Sequence, residues 1–328
     1  MFKICTIGCG GMSTSGHGPS AKLYAERYPD TELSACCDLD AEKAESYRAK
    51  FGYKRIYTDY MEMLEKEKPD VAMVIVPPAL TEKISIDVIN TGTNIILEKP
   101  PGLHDCQTRA IHEAAVANNV HARVAFNRRH MPLVLALIDE IKACGEEPMY
   151  ADCQFVRMKR TDADFCTTAI HAIDSLRYIL GSDYTEARFD YRDFDFTEER
   201  RGTDYHVRAI CESGAVVNIG FITCSGGVAE RIFVSCKNHA FFADLPVWNG
   251  LDAPGKLTCV KNGAVYKTVK GEFDTMFESS GFYTENESFF ERIRSGAQPY
   301  SEVADGIQAV QIADCMRRRE AVYRKDNI

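Results

Sequence analysis

The spacing of apolar and polar residues divides the chain into two parts of different character. Up to Phe126, short apolar runs alternate with segments of helical periodicity. Phe2–Ile7 reads as a strand, Pro19–Tyr28 as a helix and Glu32–Cys37 as a second strand. Ala41–Phe51 has helical spacing and closes at Gly52, and another helix follows Thr58 and ends at Lys68-Pro69. Val71–Val76 is apolar on both sides, as a strand buried in a parallel sheet must be. It stops at Pro77-Pro78, which cannot continue a central strand. Helices at Thr81–Asn90 and Asp105–Asn118 alternate with strands at Asn94–Leu97 and His121–Phe126. Repeats of this length predict a doubly wound parallel sheet with right-handed crossovers.

Around Asn127 the pattern changes. Helices are predicted over Met131–Cys144 and Thr167–Leu180, with a strand at Tyr150–Met158 between them. Period-two alternation then dominates, over Glu186–Phe196, Asp204–Glu212, Ala215–Cys224, Glu230–Cys236 and Lys256–Lys261. Turn signals such as Glu212-Ser213-Gly214 and Lys261-Asn262-Gly263 join these runs into an antiparallel meander. Helices near Thr284–Arg294 and Val303–Tyr323 come last. The expected fold is therefore an α/β domain over residues 1–126 followed by an α+β domain, built on a mostly antiparallel sheet, over residues 127–328.

A chain of 328 residues is long for one hydrophobic core, which agrees with two domains. The formal charge of −9, with no block of Lys and Arg interleaved with aromatics, argues against a nucleic-acid surface. No apolar run approaches the roughly 20 residues of a membrane span, and the chain enters a strand at once without a signal-peptide pattern. Several of the thirteen cysteines (among them Cys5, Cys36, Cys37, Cys153, Cys211 and Cys224) fall in predicted strands, where a thiol acts as a small hydrophobe. That usage points to a reducing cytoplasm. Cys236 and His239 have a ligand-like spacing, read here as a hairpin tip, so no metal is expected.

The candidate chemistry begins at the first turn. A strand, the glycines Gly8, Gly10 and Gly11, a helix and a second strand ending on Asp38 form the context of a dinucleotide-binding fingerprint. Gly8 lets the chain turn sharply, and Gly10 leaves the backbone N–H groups open to a pyrophosphate at the helix N-terminus. Asp38 accepts from ribose hydroxyls. Leu39 and Asp40 follow it with no cation for a 2′-phosphate, which favours NAD over NADP. Ser13 stands where the third glycine is usual, and Thr14–Gly18 reads as a lengthened turn. His17 within it either reaches the nicotinamide or substrate side or faces solvent.

Ligands of open parallel sheets sit outside the carboxyl ends of the strands. The Gly8 turn, Pro77-Pro78 and Glu98-Lys99-Pro100 all arrive there. Lys99 is either a proton carrier, its charge disfavoured by desolvation, or a residue that hydrogen-bonds a turn. His171 and Asp174 lie at i and i+3, hence on one face of a largely apolar helix. They are either a satisfied core pair or a tuned acid and base.

Gly8-Cys9-Gly10-Gly11, Asp38, Glu98-Lys99-Pro100 and His171-x-x-Asp174 together resemble the Gfo/Idh/MocA oxidoreductase family, that of glucose–fructose oxidoreductase and inositol dehydrogenase. The likeness runs to Gly281-Phe282-Tyr283, Glu287, Phe290, Ile293 and Gly296. It implies a Rossmann domain that binds NAD through Gly8, Gly10, Gly11, Met12, Asp38, Pro77, Glu98 and Lys99. The second domain binds substrate and mediates oligomerisation. It further implies hydride transfer from a secondary hydroxyl of a sugar, glycoside or cyclitol. In that reaction His171 is the base, Lys99 stabilises the alkoxide, and Asp174 orients the imidazole or binds a neighbouring hydroxyl. Asn127, Arg128, Arg157, Lys159 and Tyr283 are further candidates for substrate hydroxyls, or else interdomain and surface contacts. The sheet face with Val216, Ile219 and Phe221 resembles the family's dimerisation surface, so a homodimer or homotetramer is expected. Two other outcomes belong to the same family. One is redox-neutral glycoside cleavage through transient oxidation, and the other is a cofactor-sensing regulator. The intact set of Lys99, His171 and Asp174 speaks against the regulator.

Overall fold

The computed structural model describes residues 1–248, 250–273 and 275–325. The chain separates into two compact units. One comprises Met1–Asn127 with Phe282–Val310, and the other comprises Arg128–Gly281 with Gln311–Ile328. The boundary after Asn127 lies where the alternation ends. The segment Phe282–Val310, expected with the second domain, groups instead with the first.

The first unit is built on a six-stranded sheet. Its strands are β1 (Phe2–Ile7), β2 (Thr31–Cys37), β3 (Arg55–Tyr57), β4 (Val71–Val74), β5 (Asn94–Glu98) and β6 (Ala122–Ala125). They lie in the order β3-β2-β1-β4-β5-β6, and all neighbours are parallel. Five helices connect them: α1 (Gly18–Arg27), α2 (Ala41–Phe51), α3 (Tyr60–Glu67), α4 (Pro78–Asn90) and α5 (Asp105–Ala117). Asp40 starts α2 by accepting from the N–H groups of Glu42 and Lys43, and Asp59 starts α3 in the same way. α4 begins three residues before the expected Thr81, because Pro78 supplies the φ of a first helical turn and needs no N–H there.

The expected lengthened turn at Thr14–Gly18 is helical. Ser13–His17 form a wide π-type turn, closed by the Gly18 N–H donating to the Ser13 carbonyl, and it runs straight into α1. The returning helix Phe282–Arg294 completes the core of this unit. Phe290 packs 6.0 Å from Phe2 and 4.9 Å from Tyr24 between ring centroids. The Tyr24 hydroxyl donates to Glu291 at 2.5 Å. Arg123, buried on β6, binds Glu302 through two parallel hydrogen bonds of 2.7 and 2.8 Å.

The second unit carries a nine-stranded sheet. After α6 (Pro132–Cys144) come β7 (Tyr150–Val156) and α7 (Cys166–Leu180), then β8 (Tyr184–Thr197), β9 (Arg200–Cys211) and β10 (Val216–Ile222). These are followed by β11 (Ala229–Ser235), β12 (His239–Leu245), β13 (Lys256–Lys261), β14 (Ala264–Lys270) and β15 (Val322–Arg324). The order is β14-β13-β12-β11-β7-β10-β9-β8-β15, antiparallel except where β7 meets β10. Of the strands missing from the expectation, β3, β14 and β15 are edge strands, whereas β12 is an interior strand of seven residues. The helix expected over Val303–Tyr323 spans only Ile307–Arg317. Arg319 takes a left-handed φ of 57°, and Val322–Arg324 pairs with β8.

One face of this sheet is covered, with Phe155, Phe165 and Phe221 in mutual ring contact. This corrects the expected surface. Ile219 and Phe221 are 2% and 0% exposed, because period-two alternation sets them on the covered face with Val217. The open face of β10 carries Val216, Asn218, Gly220 and Ile222, each half-buried. Among the described residues no helix is long and apolar enough to cross a membrane.

Candidate active site

At the carboxyl edge of the parallel sheet, the ends of β1, β4 and β5 lie side by side. Gly8 leaves β1 with φ +93°, and a Cβ there would stand 2.1 Å from the Ile75 carbonyl oxygen. Only glycine fits both the angle and the space. A Cβ at Gly10 or Gly11 would meet nothing within 4 Å, so the turn presents bare backbone on that side. The Cys9 N–H donates to Asp38 Oδ2 at 2.9 Å and the Asp40 N–H to Oδ1 at 3.0 Å, which fixes the carboxylate beside the turn. Met12 is half-buried at the helical start. Ser13, in the place of the third glycine, is fully buried, and its hydroxyl donates to Tyr47 at 2.9 Å. Pro77 is exposed at the start of α4.

The wide turn carries His17 inward. It is 0% exposed, which overturns the solvent-facing alternative. Its Nε2 lies 3.1 Å from Glu98 Oε1, its Nδ1 3.4 Å from Asn286 Nδ2, and its ring meets Phe282 edge-on at 5.2 Å. With the Asn286 amide assigned as donor to Nδ1, the ring proton sits on Nε2 and is given to Glu98. Glu98 Oε2 accepts the Lys99 N–H at 3.0 Å. Burial pushes the Glu98 pKa up. The His17 hydrogen bond, the charge of Lys99 and the Lys99 N–H outweigh it and hold the carboxyl below its ordinary value. Glu98 is thus a buried carboxylate that braces the backbone of the half-buried Lys99.

The second unit contributes a separate buried network. α7 is apolar along nearly its whole circumference, with Ala169, Ile170, Ile173 and Leu176 no more than 1% exposed. His171 and Asp174 on it are 5% and 1% exposed. Arg129 donates to both oxygens of Asp174, at 2.8 and 2.6 Å. Arg128 donates to Glu230 at 2.8 Å, and Arg157 donates to the same carboxylate while lying 3.6 Å from the ring centre of Phe155. Burial pulls the Arg157 pKa down, against the opposing charge of Glu230. Burial likewise opposes ionisation of Glu230, but the two guanidiniums keep its pKa below the ordinary value. Arg128 Nη1 lies 3.2 Å from His171 Nε2. A guanidinium has no acceptor, so in this contact Nε2 is the lone-pair nitrogen and the imidazole is neutral with its proton on Nδ1.

Gly8, Gly10, Gly11, Met12, Asp38, Pro77, Glu98 and Lys99 therefore share one sheet edge. Arg128, Arg157, His171 and Asp174 belong to one buried network. Asn127 is buried where the first unit ends. Lys159 is exposed with φ +53°. Tyr283 is buried, donates to Glu287 at 2.6 Å and lies beneath the Arg27 guanidinium, inside the first unit. The residues not anticipated are Arg129, Glu230 and the bond from His17 to Glu98. A signal for Glu230 exists: in β11 it shares the inward parity of Ile232 and Val234, where a lone carboxylate needs cationic partners.

Residues 2–126 match the family model described as an oxidoreductase family with an NAD-binding Rossmann fold. Inositol 2-dehydrogenase of Burkholderia ambifaria is 25% identical over 337 residues, covering 98% of this chain and 94% of that protein. Over residues 2–126 the chain belongs to the Gfo/Idh/MocA oxidoreductase family. YrbE of Bacillus subtilis, an uncharacterised oxidoreductase, matches at 24% identity over 185 residues, covering 52% of this chain and 54% of that protein. A levoglucosan dehydrogenase in complex with NADH and levoglucosan has the same fold. Its TM-score is 0.81 at 17% identity, and the match covers 98% of this chain and 99% of that one. For a Gfo/Idh/MocA oxidoreductase the bare backbone over Gly10 and the acceptor Asp38 fit a nucleotide cofactor at this sheet edge.

Proposed function

We propose that this oxidoreductase is an NAD-dependent dehydrogenase of a secondary hydroxyl on a sugar, glycoside or cyclitol. The observation that carries the reading is the sheet edge, where open backbone at Gly10 and a fixed Asp38 stand in line with Glu98-Lys99. Asp38 and Asp40 repel a 2′-phosphate, which favours NAD over NADP. Bound NAD supplies the hydride acceptor. Lys99 holds the reacting oxygen and stabilises its developing negative charge. His171, neutral in its contact with Arg128, takes the hydroxyl proton at Nε2 as the substrate replaces that contact. Asp174, both oxygens held by Arg129, braces α7 and acts as a positioning residue.

The test is absorbance of reduced nicotinamide with NAD and with NADP, over a panel of free sugars, glycosides and inositols. Turnover is expected with NAD and one substrate group. Lys99→Ala and His171→Ala each lower kcat by about 10²–10⁴-fold while NAD binding persists, and full turnover in both variants would refute the assignment. Glycoside cleavage with NAD retained and no net reduction would replace it with the redox-neutral reaction. We also expect a second copy on the open face of the nine-stranded sheet, where Ile210 and Phe242 are 44% and 46% exposed. Light scattering of the eluting protein measures this.

A further inference from the structure

Two segments far apart in sequence converge at one corner of the second unit. α6 ends on Cys144, and Gly145, with φ +68°, turns the chain so that Glu146 follows at once. β11 and β12 are joined by the turn Cys236-Lys237-Asn238-His239, closed by the Cys236 N–H donating to the His239 carbonyl at 2.8 Å. Cys144, Glu146 and His239 bring one sulfur, one carboxylate oxygen and one ring nitrogen within 4.8 Å of one another. A second thiol, that of Cys236, adjoins Cys144 outside this group of three. Cys236 is 4% exposed. Burial, and then the neighbouring Cys144 thiol, push its pKa up to about 12.

His239 separates this corner from an ordinary polar turn. The residue is 7% exposed, and its Nδ1 is fully buried without a hydrogen-bond partner. Glu146 Oε2 lies 3.1 Å from that nitrogen, at hydrogen-bond distance but without the alignment of one. A buried ring nitrogen left unmatched is destabilising, and a cation shared with the carboxylate removes that cost. The carboxylate is already aimed. Asn238 donates to Oε2 through its backbone N–H and to Oε1 through its side chain, both at 2.8 Å. Outer hydrogen bonds of this kind orient the carboxylates that ligate metals.

We propose that Cys144, Glu146, Cys236 and His239 form a binding site for a thiophilic divalent cation, zinc foremost. Two sulfurs, an imidazole nitrogen and a carboxylate oxygen match the tetrahedral donor sets of zinc, and thiolate ligands select against magnesium and calcium. Binding draws the donors to the roughly 3.3–3.8 Å separations of a tetrahedral zinc shell, and the two thiol protons pass to solvent as the Zn–S bonds form. None of the four residues belongs to the sheet edge or to the His171 network. The ion is structural, tying the end of α6 to the β11–β12 turn.

The test uses the whole chain, stripped by a chelator under reducing conditions and reloaded with cobalt(II). One equivalent is expected to give a sulfur-to-cobalt charge-transfer band with the intense visible bands of tetrahedral cobalt, both displaced by one equivalent of zinc. Cys144→Ser and Cys236→Ser lose the charge-transfer intensity stepwise. Asn238→Ala, which touches no donor bond directly, weakens zinc about 10–100-fold and guards against a ligand variant that fails to fold. Three results overturn the proposal. One is a wild-type protein without the charge-transfer band, and another is a band that survives in both serine variants. The third is a chelator-indifferent thiol count two short of the thirteen cysteines, which would mark a Cys144–Cys236 disulfide.

Discussion

Gly8 and Gly10 lie two residues apart in one turn, and the structure assigns them opposite sensitivities. Gly8→Ala must place a side chain at φ +93° and 2.1 Å from the Ile75 carbonyl oxygen, so the turn or the end of β4 must move by about 1 Å. The backbone strain is about 1–3 kcal/mol and the crowding about 1–3 kcal/mol, or roughly 2–6 kcal/mol together. For a unit of this size that corresponds to a melting temperature lower by roughly 5–20 °C. Gly10→Ala meets nothing within 4 Å and is not in the left-handed region, so its melting temperature should stay within about 2 °C of wild type. Its methyl group occupies the space offered to a pyrophosphate. Loss of one charge-assisted hydrogen bond, about 1.5–3 kcal/mol, weakens NAD by roughly 10–150-fold. The assays are thermal unfolding without nucleotide and calorimetric titration with NAD. If Gly8→Ala melts with wild type, the steric argument fails. If Gly10→Ala binds NAD as tightly as wild type, the cofactor does not lie over that turn.

Other perturbations reach different parts of the molecule. Arg129→Ala strands the Asp174 carboxylate, which is 1% exposed, and should cost about 3–5 kcal/mol in urea unfolding. Replacing both partners, Arg129→Met with Asp174→Leu, should cost much less. Glu98 has a folded pKa below its unfolded value of about 4.3. Its stabilising share is therefore present above that pH and is lost as pH falls through the folded value. Melting temperatures of wild type and Glu98→Gln should differ by a constant amount above about pH 5.3 and converge below it. A gap that widens on acidification would contradict the assigned direction.

Local features of the sequence carried much of this structure. Apolar runs bounded by Pro77 and by Gly52 marked the strands and helix ends of the first sheet, because each signal lies within a few residues of its effect. Gly8, Asp38 and Lys99 were legible for the same reason: each follows directly from a strand end. The partnerships were not. His17 meets Glu98 from 81 positions away, and Arg128 meets Glu230 from 102. Only the folded chain can specify such pairs. Asp174 is expected from the sequence to orient the His171 imidazole or to bind a neighbouring hydroxyl, and the pairing of both its oxygens with Arg129 is not legible there. The exposed face of β10 follows from parity alone: Val216 and Ile219 point to opposite sides of the strand, so Ile219 and Phe221 are covered where Val216 is not.

The return of Phe282–Arg294 to the first unit bears on the order of events during synthesis. Phe2 and Tyr24 wait for Phe290 to complete their packing. At roughly 5–20 residues per second, the intervening stretch takes about 13–55 s to be made. Through that interval the nascent glycine-rich turn rests on an unfinished rear wall, while the whole of Arg128–Gly281 is still being made. A fragment stopped before Phe282 would hold every residue proposed here to face a nucleotide and still lack the aromatic surface that closes their scaffold.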